Sequence, residues 1–186
     1  MEGESEIAME FSLLKAPQTY KVQSRNISLV FNPTQAEKAD VLLFDQAQDK
    51  LKPVEGQKIF DGAGEYEVND SLMEGVAING GVSYRLDIEG IAVVHLAAGT
   101  AELTDKQIEA LSPVDIAMVA AQDIEAQNLS KIISQLEPRI IIPVGADGPT
   151  LKKLAEELGV TAENTPKFKI NAKDLPQDTQ KLVVIE

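Results

Sequence analysis

The chain contains no cysteine and no tryptophan, a single histidine, and only 4% aromatic residues. Without cysteine, disulfides and thiolate metal sites are excluded, while the redox compartment stays open. With one imidazole, a metal site built on several histidines cannot be assembled. So few aromatics leave the core to aliphatic side chains. No apolar run approaches the ~18 residues of a membrane span. The acidic start, with Glu2, Glu4 and Glu6, is the reverse of the basic start of a secretory signal. A cytoplasmic location is therefore expected. Basic residues are scarce: 17 Lys and Arg stand against 30 Asp and Glu, for a net charge of −13. Such a surface repels phosphate, so neither nucleic acid nor an anionic membrane is expected as a partner. Solubility alone accounts for the charge, which selects no cationic partner.

What is present is an ordinary globular composition, 44% apolar and 25% charged over 186 residues. That length suits one domain with a sizeable core. Residues 1–8 read as a disordered lead, and 9–186 as a single domain. Short apolar runs at Met9–Leu14, Tyr20–Val22, Ile27–Phe31 and Val41–Phe44 predict strands, with Pro17 and Asn32-Pro33 as breaks. Asp45–Val54 is polar and reads as a loop. Leu72–Ile78, Ser83–Ile88 and Ile91–Leu96 predict a strand meander. Asn79-Gly80-Gly81 and Glu89-Gly90 supply its turns. In Ser83–Ile88, Tyr84, Leu86 and Ile88 alternate with Ser83, Arg85 and Asp87, the pattern of a half-buried strand. Gly62, Gly64 and Glu65 mark a bend where backbone approaches backbone.

After Gly99 the pattern changes. Thr104-x-x-Gln107 is a capping box opening a helix that Pro113 ends. Ile116–Ala121 and Ile140–Val144 predict buried strands. Leu129, Ile132, Ile133 and Leu136 recur at helical spacing over 124–136, and Pro149-Thr150 opens a third helix that Gly159 ends. Phe168–Ile170 and Leu182–Ile185 predict the last strands. Strands first, then strands alternating with helices, give an α/β or α+β layered fold.

Gly62-Ala63-Gly64-Glu65-Tyr66-Glu67-Val68, Tyr84-Arg85-Leu86-Asp87-Ile88-Glu89-Gly90 and His95-Leu96 resemble the metallo-β-lactamase superfamily. The branch they resemble is that of the small metal-dependent hydrolases, which includes the L-ascorbate-6-phosphate lactonase-like proteins. The resemblance runs from about Met9 to the C-terminus. It implies a four-layer αββα sandwich with two mixed sheets face to face.

The family's metal-binding residues are missing from the matching positions. Its His-x-His-x-Asp-His loop is matched by Gln46-Ala47-Gln48-Asp49-Lys50-Leu51, so Gln46 and Gln48 replace the first two histidines, Lys50 the aspartate and Leu51 the last histidine. A one-residue slip would bring Asp49 near the aspartate's place, but no slip produces a histidine. The next ligand position is Ala98, three residues after His95, and the last is Gly145 after Ile142-Pro143-Val144. Near the start, Leu13-Leu14-Lys15-Ala16 and Asn32-Pro33 match a Trp-Leu-Gly-His-like motif and an Asp-Pro. Amides are weak neutral donors, Ala and Gly donate nothing, and Lys50 repels a cation. Without a metal there is no activated water.

The resemblance therefore implies no cofactor and a binding or structural module, with an unidentified protein or small molecule as partner and a homo-oligomer as an open state. The alternative is a hydrolase using a repurposed site around His95 and the acidic loops. His95 in an apolar strand reads as a hydrogen-bonded structural residue; as a base it needs a nucleophile, and Thr100 is the nearest in sequence. Glu65 and Glu67 share a strand face and could form an acid/base pair or stay solvated. Asp45, Asp49 and Asp147 are candidates to gather around a hard cation. Gly145–Thr150 precedes a helix but lacks the Gly-Lys-Ser/Thr of a phosphate loop.

Overall fold

The computed structural model describes residues 8–15, 18–79 and 81–186. The expected lead falls almost wholly outside them, as do Ala16, Pro17 and Gly80. Among the described residues fourteen strands form two sheets. The first is built from β1 (Met9–Lys15), β2 (Thr19–Gln23), β3 (Ser28–Phe31), β4 (Val41–Leu43), β5 (Lys58–Phe60) and β13 (Lys167–Ile170), in the order β13-β1-β2-β3-β4-β5. The second holds β6 (Gly64–Val68), β7 (Ser71–Ile78), β8 (Gly81–Ile88), β9 (Ile91–Leu96), β10 (Ile116–Ala120), β11 (Ile140–Val144), β12 (Ala162–Thr165) and β14 (Lys181–Ile185), in the order β12-β14-β11-β10-β9-β8-β7-β6. Both sheets mix parallel and antiparallel pairs. This is the expected mixed two-sheet sandwich.

The main core lies between the sheets, where Phe11, Val22, Leu29, Phe31, Tyr84, Leu86, Val93, Met118 and Ile142 are buried together. Helices α1 (Asp105–Leu111), α2 (Ala126–Leu136) and α3 (Gly148–Leu158) connect the parallel strands and pack on the outer face of the eight-stranded sheet. Each has a local cause. The Thr104 hydroxyl accepts from the Gln107 amide while the Gln107 side chain accepts from the Thr104 amide, the reciprocal cap legible in the sequence. Asp147 caps α3 through the Thr150 amide, and Gly159 ends it at φ +67°. The helix over 124–136 begins at Ala126, because Glu125 is the extended cap residue.

Among the described residues no helix covers the outer face of the six-stranded sheet. A small cluster of Val30, Leu42 and Phe44, with Leu51 and Ile59 against it, lies there. Ser83, expected on the solvent face of its strand, is fully buried and accepts the Ala97 amide at 3.0 Å. The second face of β8 is partly covered by α1, so alternation there does not mean exposure. β12 carries Glu163 and Asn164 and has no strand signal in its sequence; it exists because it pairs in parallel with β14. No helix of the described residues is long and apolar enough to cross a membrane.

Candidate functional site

The C-terminal ends of β9, β10 and β11 point the same way, and the segments leaving them carry Ala98, Ala121–Asp123 and Gly145–Asp147. In sheets of this kind ligand sites form outside such strand ends. Two hollows open there. One, of about 570 Å³, is lined by Gln122, Asp123, Gly145, Asp147, Thr150 and Lys153 among others. The other, of about 1040 Å³, runs between the segment Ala98–Glu102 and α2. They share Gln122, Asp123 and Ile124. Gln18, from the opposite sheet, hydrogen-bonds the Gln122 side chain and bridges the two sheets near these hollows.

Inside the sandwich lies a buried polar pair. Asp45 lies just past β4, after Phe44, and His95 sits in β9 facing the inter-sheet core. Their side chains meet at 2.7 Å, His95 Nε2 to Asp45 Oδ1. With the carboxylate ionised, Nε2 carries the proton and donates it. The Ala98 amide approaches Asp45 Oδ2 at 3.4 Å, the Asp45 amide donates to Asn32 Oδ1 at 3.0 Å, and the Val82 amide donates to the Asp45 carbonyl at 2.8 Å. Asp45 thus ties the end of β4 to β3 in its own sheet and to β8 and β9 in the other.

Burial, the largest influence on the Asp45 carboxyl, works to raise its pKa. The positive charge available on His95, its hydrogen bond, and the Asn32 and Ala98 contacts outweigh burial and hold the pKa below the usual carboxylate range. The Phe31 ring packs on the imidazole with centroids 4.6 Å apart. His95 is 1% exposed and its Nδ1 is buried without a partner. Across the strand from His95, Tyr84 donates its hydroxyl to the Phe44 and Phe60 carbonyls at 2.8 and 3.1 Å. Burial raises the Tyr84 pKa far above its ordinary value, so it stays a donor.

The other expected positions scatter. Gln48 folds back on its own loop: its Oε1 accepts the Leu51 amide at 2.8 Å and its Nε2 donates to the Leu51 carbonyl at 3.2 Å. Leu51 packs on the outer cluster of the six-stranded sheet, away from the hollows. Lys50 is exposed, and exposed Gln46 lies over Gly81. None of these four lines either hollow; Ala98 and Gly145 each line one. Asp45, Asp49 and Asp147 do not gather. No group of three or more His, Asp or Glu among the described residues is placed to hold a metal. The donor set explains this: the one imidazole nitrogen with a carboxylate in reach is already bonded to it, and the remaining positions carry loop-bound amide, alkyl or no side chain. The site does not fit a catalytic metal.

Thr100 is buried and donates to the Ala97 carbonyl at 2.7 Å, so its hydroxyl is not bonded to His95. Glu65 and Glu67 are exposed on one face of β6, far in topology from His95. At the bend, the close approach falls on a third glycine. A Cβ on Gly75 would sit 2.5 Å from the Gly62 carbonyl oxygen and 3.3 Å from Ala63 Cα, whereas one on Gly62 would meet only the Tyr66 hydroxyl at 3.9 Å. Gly64 holds φ +153°. The sequence reading weighed Asp45 and His95 separately and missed the pair. The one signal was that a lone histidine in an apolar strand needs a partner, which does not say which residue supplies it.

No curated protein matches the chain in sequence. Solved structures match it in fold. A protein from Thermotoga maritima, described as a zinc-dependent hydrolase of the metallo-β-lactamase superfamily, superimposes with a TM-score of 0.82 at 16% identity, covering 96% of this chain and 100% of that one. The metallo-β-lactamase fold protein YhfI of Bacillus subtilis gives 0.64 at 9% identity, covering 96% and 97%. A protein from Parabacteroides distasonis described as a metal-dependent hydrolase gives 0.62 at 16% identity, covering 80% and 89%. A family model for the β-lactamase superfamily domain matches residues 14–145, and on that match, with the two-sheet sandwich around it, the chain belongs to the β-lactamase superfamily.

Proposed function

We propose that this chain is a metal-independent, non-hydrolytic member of its superfamily that acts as a binding module, with the hollows at the ends of β9–β11 receiving a small polar molecule. The observation that carries this reading is the Asp45–His95 pair. One nitrogen of the only imidazole is bonded to the Asp45 carboxylate at 2.7 Å, and the other, Nδ1, is buried without a partner, where a hydrolase needs it on a nucleophile or substrate. The hollow lined by Gln122, Asp123, Asp147 and Lys153 offers both signs of charge and amide groups, which suits a polar ligand. The reading of His95 as a repurposed base has no support in its 1% exposure.

Metal analysis of the purified chain tests the proposal. It predicts sub-stoichiometric zinc, manganese and iron, and a melting temperature that neither added zinc nor a chelator moves. A tightly held metal at one per chain, or a melting temperature that collapses on chelation, overturns it.

A further inference from the structure

We propose that the outer edge of β6 is a strand-addition site for an extended segment of another protein that carries basic residues at alternate positions. Among the described residues β6 ends the eight-stranded sheet and pairs only with β7. Asn69 and Asp70, both at positive φ, form the two-residue turn between them, and Val68 faces Ser71 across it. That turn makes Val68–Ser71 a hydrogen-bonded pair, so Tyr66 and Gly64 also spend their backbone groups on β7. The N–H and C=O of Glu65 and Glu67 therefore point outward. Among the described residues they have no backbone partner. They offer two donors and two acceptors in line, the pattern an added strand takes up.

The side chains say what that strand must carry. Glu65 and Glu67 both stand on the outer face, exposed, and Glu74 lies opposite Glu65 in register. None of the three has an ion-pair partner among the described residues. Arg85, which lines this face with Glu65 and Glu74, is already bonded to Asp87 at 3.0 Å and to the Ser112 carbonyl at 2.7 Å. A groove of about 270 Å³ on this face, floored in part by Leu72 at 55% exposure, leaves room for a long side chain with an apolar stem. Residues of the added strand opposite Glu65 and Glu67 would thus be lysine or arginine. The residue between them would fall beside Tyr66, whose ring stacks on Phe60 at 3.9 Å and closes the sandwich, so it would be apolar. A second copy of this chain does not fit: antiparallel pairing would set Glu65 against Glu67, like charges face to face. Charged residues on an edge also guard it against self-pairing, and the experiment separates guarding from docking.

The probe is a short synthetic peptide alternating lysine with valine, titrated into the isotope-labelled full chain. The proposal predicts that the Glu65 and Glu67 amides shift most and gain protection from hydrogen exchange. The same peptide N-methylated at its lysine amides, and the variant Glu65→Lys/Glu67→Lys, should each weaken binding by about tenfold or more. The milder Glu65→Gln/Glu67→Gln variant, which leaves the edge uncharged, should fall between. No shift on β6, shifts centred elsewhere, or equal binding of the methylated peptide would overturn the proposal, the last by showing a charge effect without strand addition.

Discussion

At the residue scale the molecule turns on Asp45. Removing its carboxylate leaves a buried imidazole with neither ring nitrogen satisfied, so Asp45→Ala should cost about 2–4 kcal/mol, measured by denaturant unfolding at neutral pH. Asp45→Asn, which can still accept from Nε2, should cost less. The pH dependence has a definite sign. The folded-state pKa of Asp45 lies below its ordinary 3.8, so the stability it adds is fully present above 3.8 and is lost as pH falls through the native value. The part of the stability gap between the native chain and Asp45→Asn that comes from the carboxylate should therefore shrink as the pH falls below 3.8. A gap that does not shrink there would show that the carboxylate is not stabilised in the native state. His95 was legible as a structural residue, since a lone histidine in Ile91–Leu96 has to be satisfied. Its partner was not, because 50 residues separate the two and only the pairing of sheets brings them together.

At the element scale the bend before β6 gives the sharpest contrast. Gly75→Ala drives a methyl into the Gly62 carbonyl at 2.5 Å, which the Tyr66 hydroxyl holds, and into Val82 Cγ1 of β8 at 3.1 Å, and should destabilise by about 2–3 kcal/mol. Gly62→Ala meets one hydroxyl at ordinary contact and should cost under ~0.5 kcal/mol. Thermal unfolding of the two variants side by side checks this; equal losses would refute the assignment of the close approach. The glycines before β6 advertise themselves by clustering, whereas Gly75 sits unremarked within a strand. Only the path of residues 62–63 across that strand makes a side chain there impossible. Elements with a local cause were legible: Thr104 and Gln107 announce α1, and Gly159 announces the end of α3. β12 was not, because Ala162–Thr165 is a strand only by virtue of β14 beside it.

At the scale of the whole molecule, the sheet order joins residues from both ends of the chain. Met9 faces Ile170, which no local pattern could reveal, whereas the resemblance to a two-sheet family carried the architecture as a unit. A net charge of −13 over 186 residues adds self-repulsion that salt screens, so the melting temperature should rise between low and moderate ionic strength; no change or a fall would show that attractive pairs offset the repulsion. The sheets themselves are held by more than apolar burial. The end of β4 receives three polar ties from the opposite sheet: Val82 to the Asp45 carbonyl, His95 to its carboxylate, and Tyr84 to the carbonyl of adjacent Phe44. Because these converge on two consecutive residues, loosening one lets the strand end shift and weakens the others. Tyr84→Phe alone should cost about 1–3 kcal/mol by stranding the Phe44 carbonyl. In a double-mutant cycle Tyr84→Phe and Asp45→Ala should couple by about 0.5 kcal/mol or more, the pair costing less than the sum of the singles because the second change acts on a strand end already released. Strict additivity would mean that each tie is anchored independently and that β4 does not move as a unit.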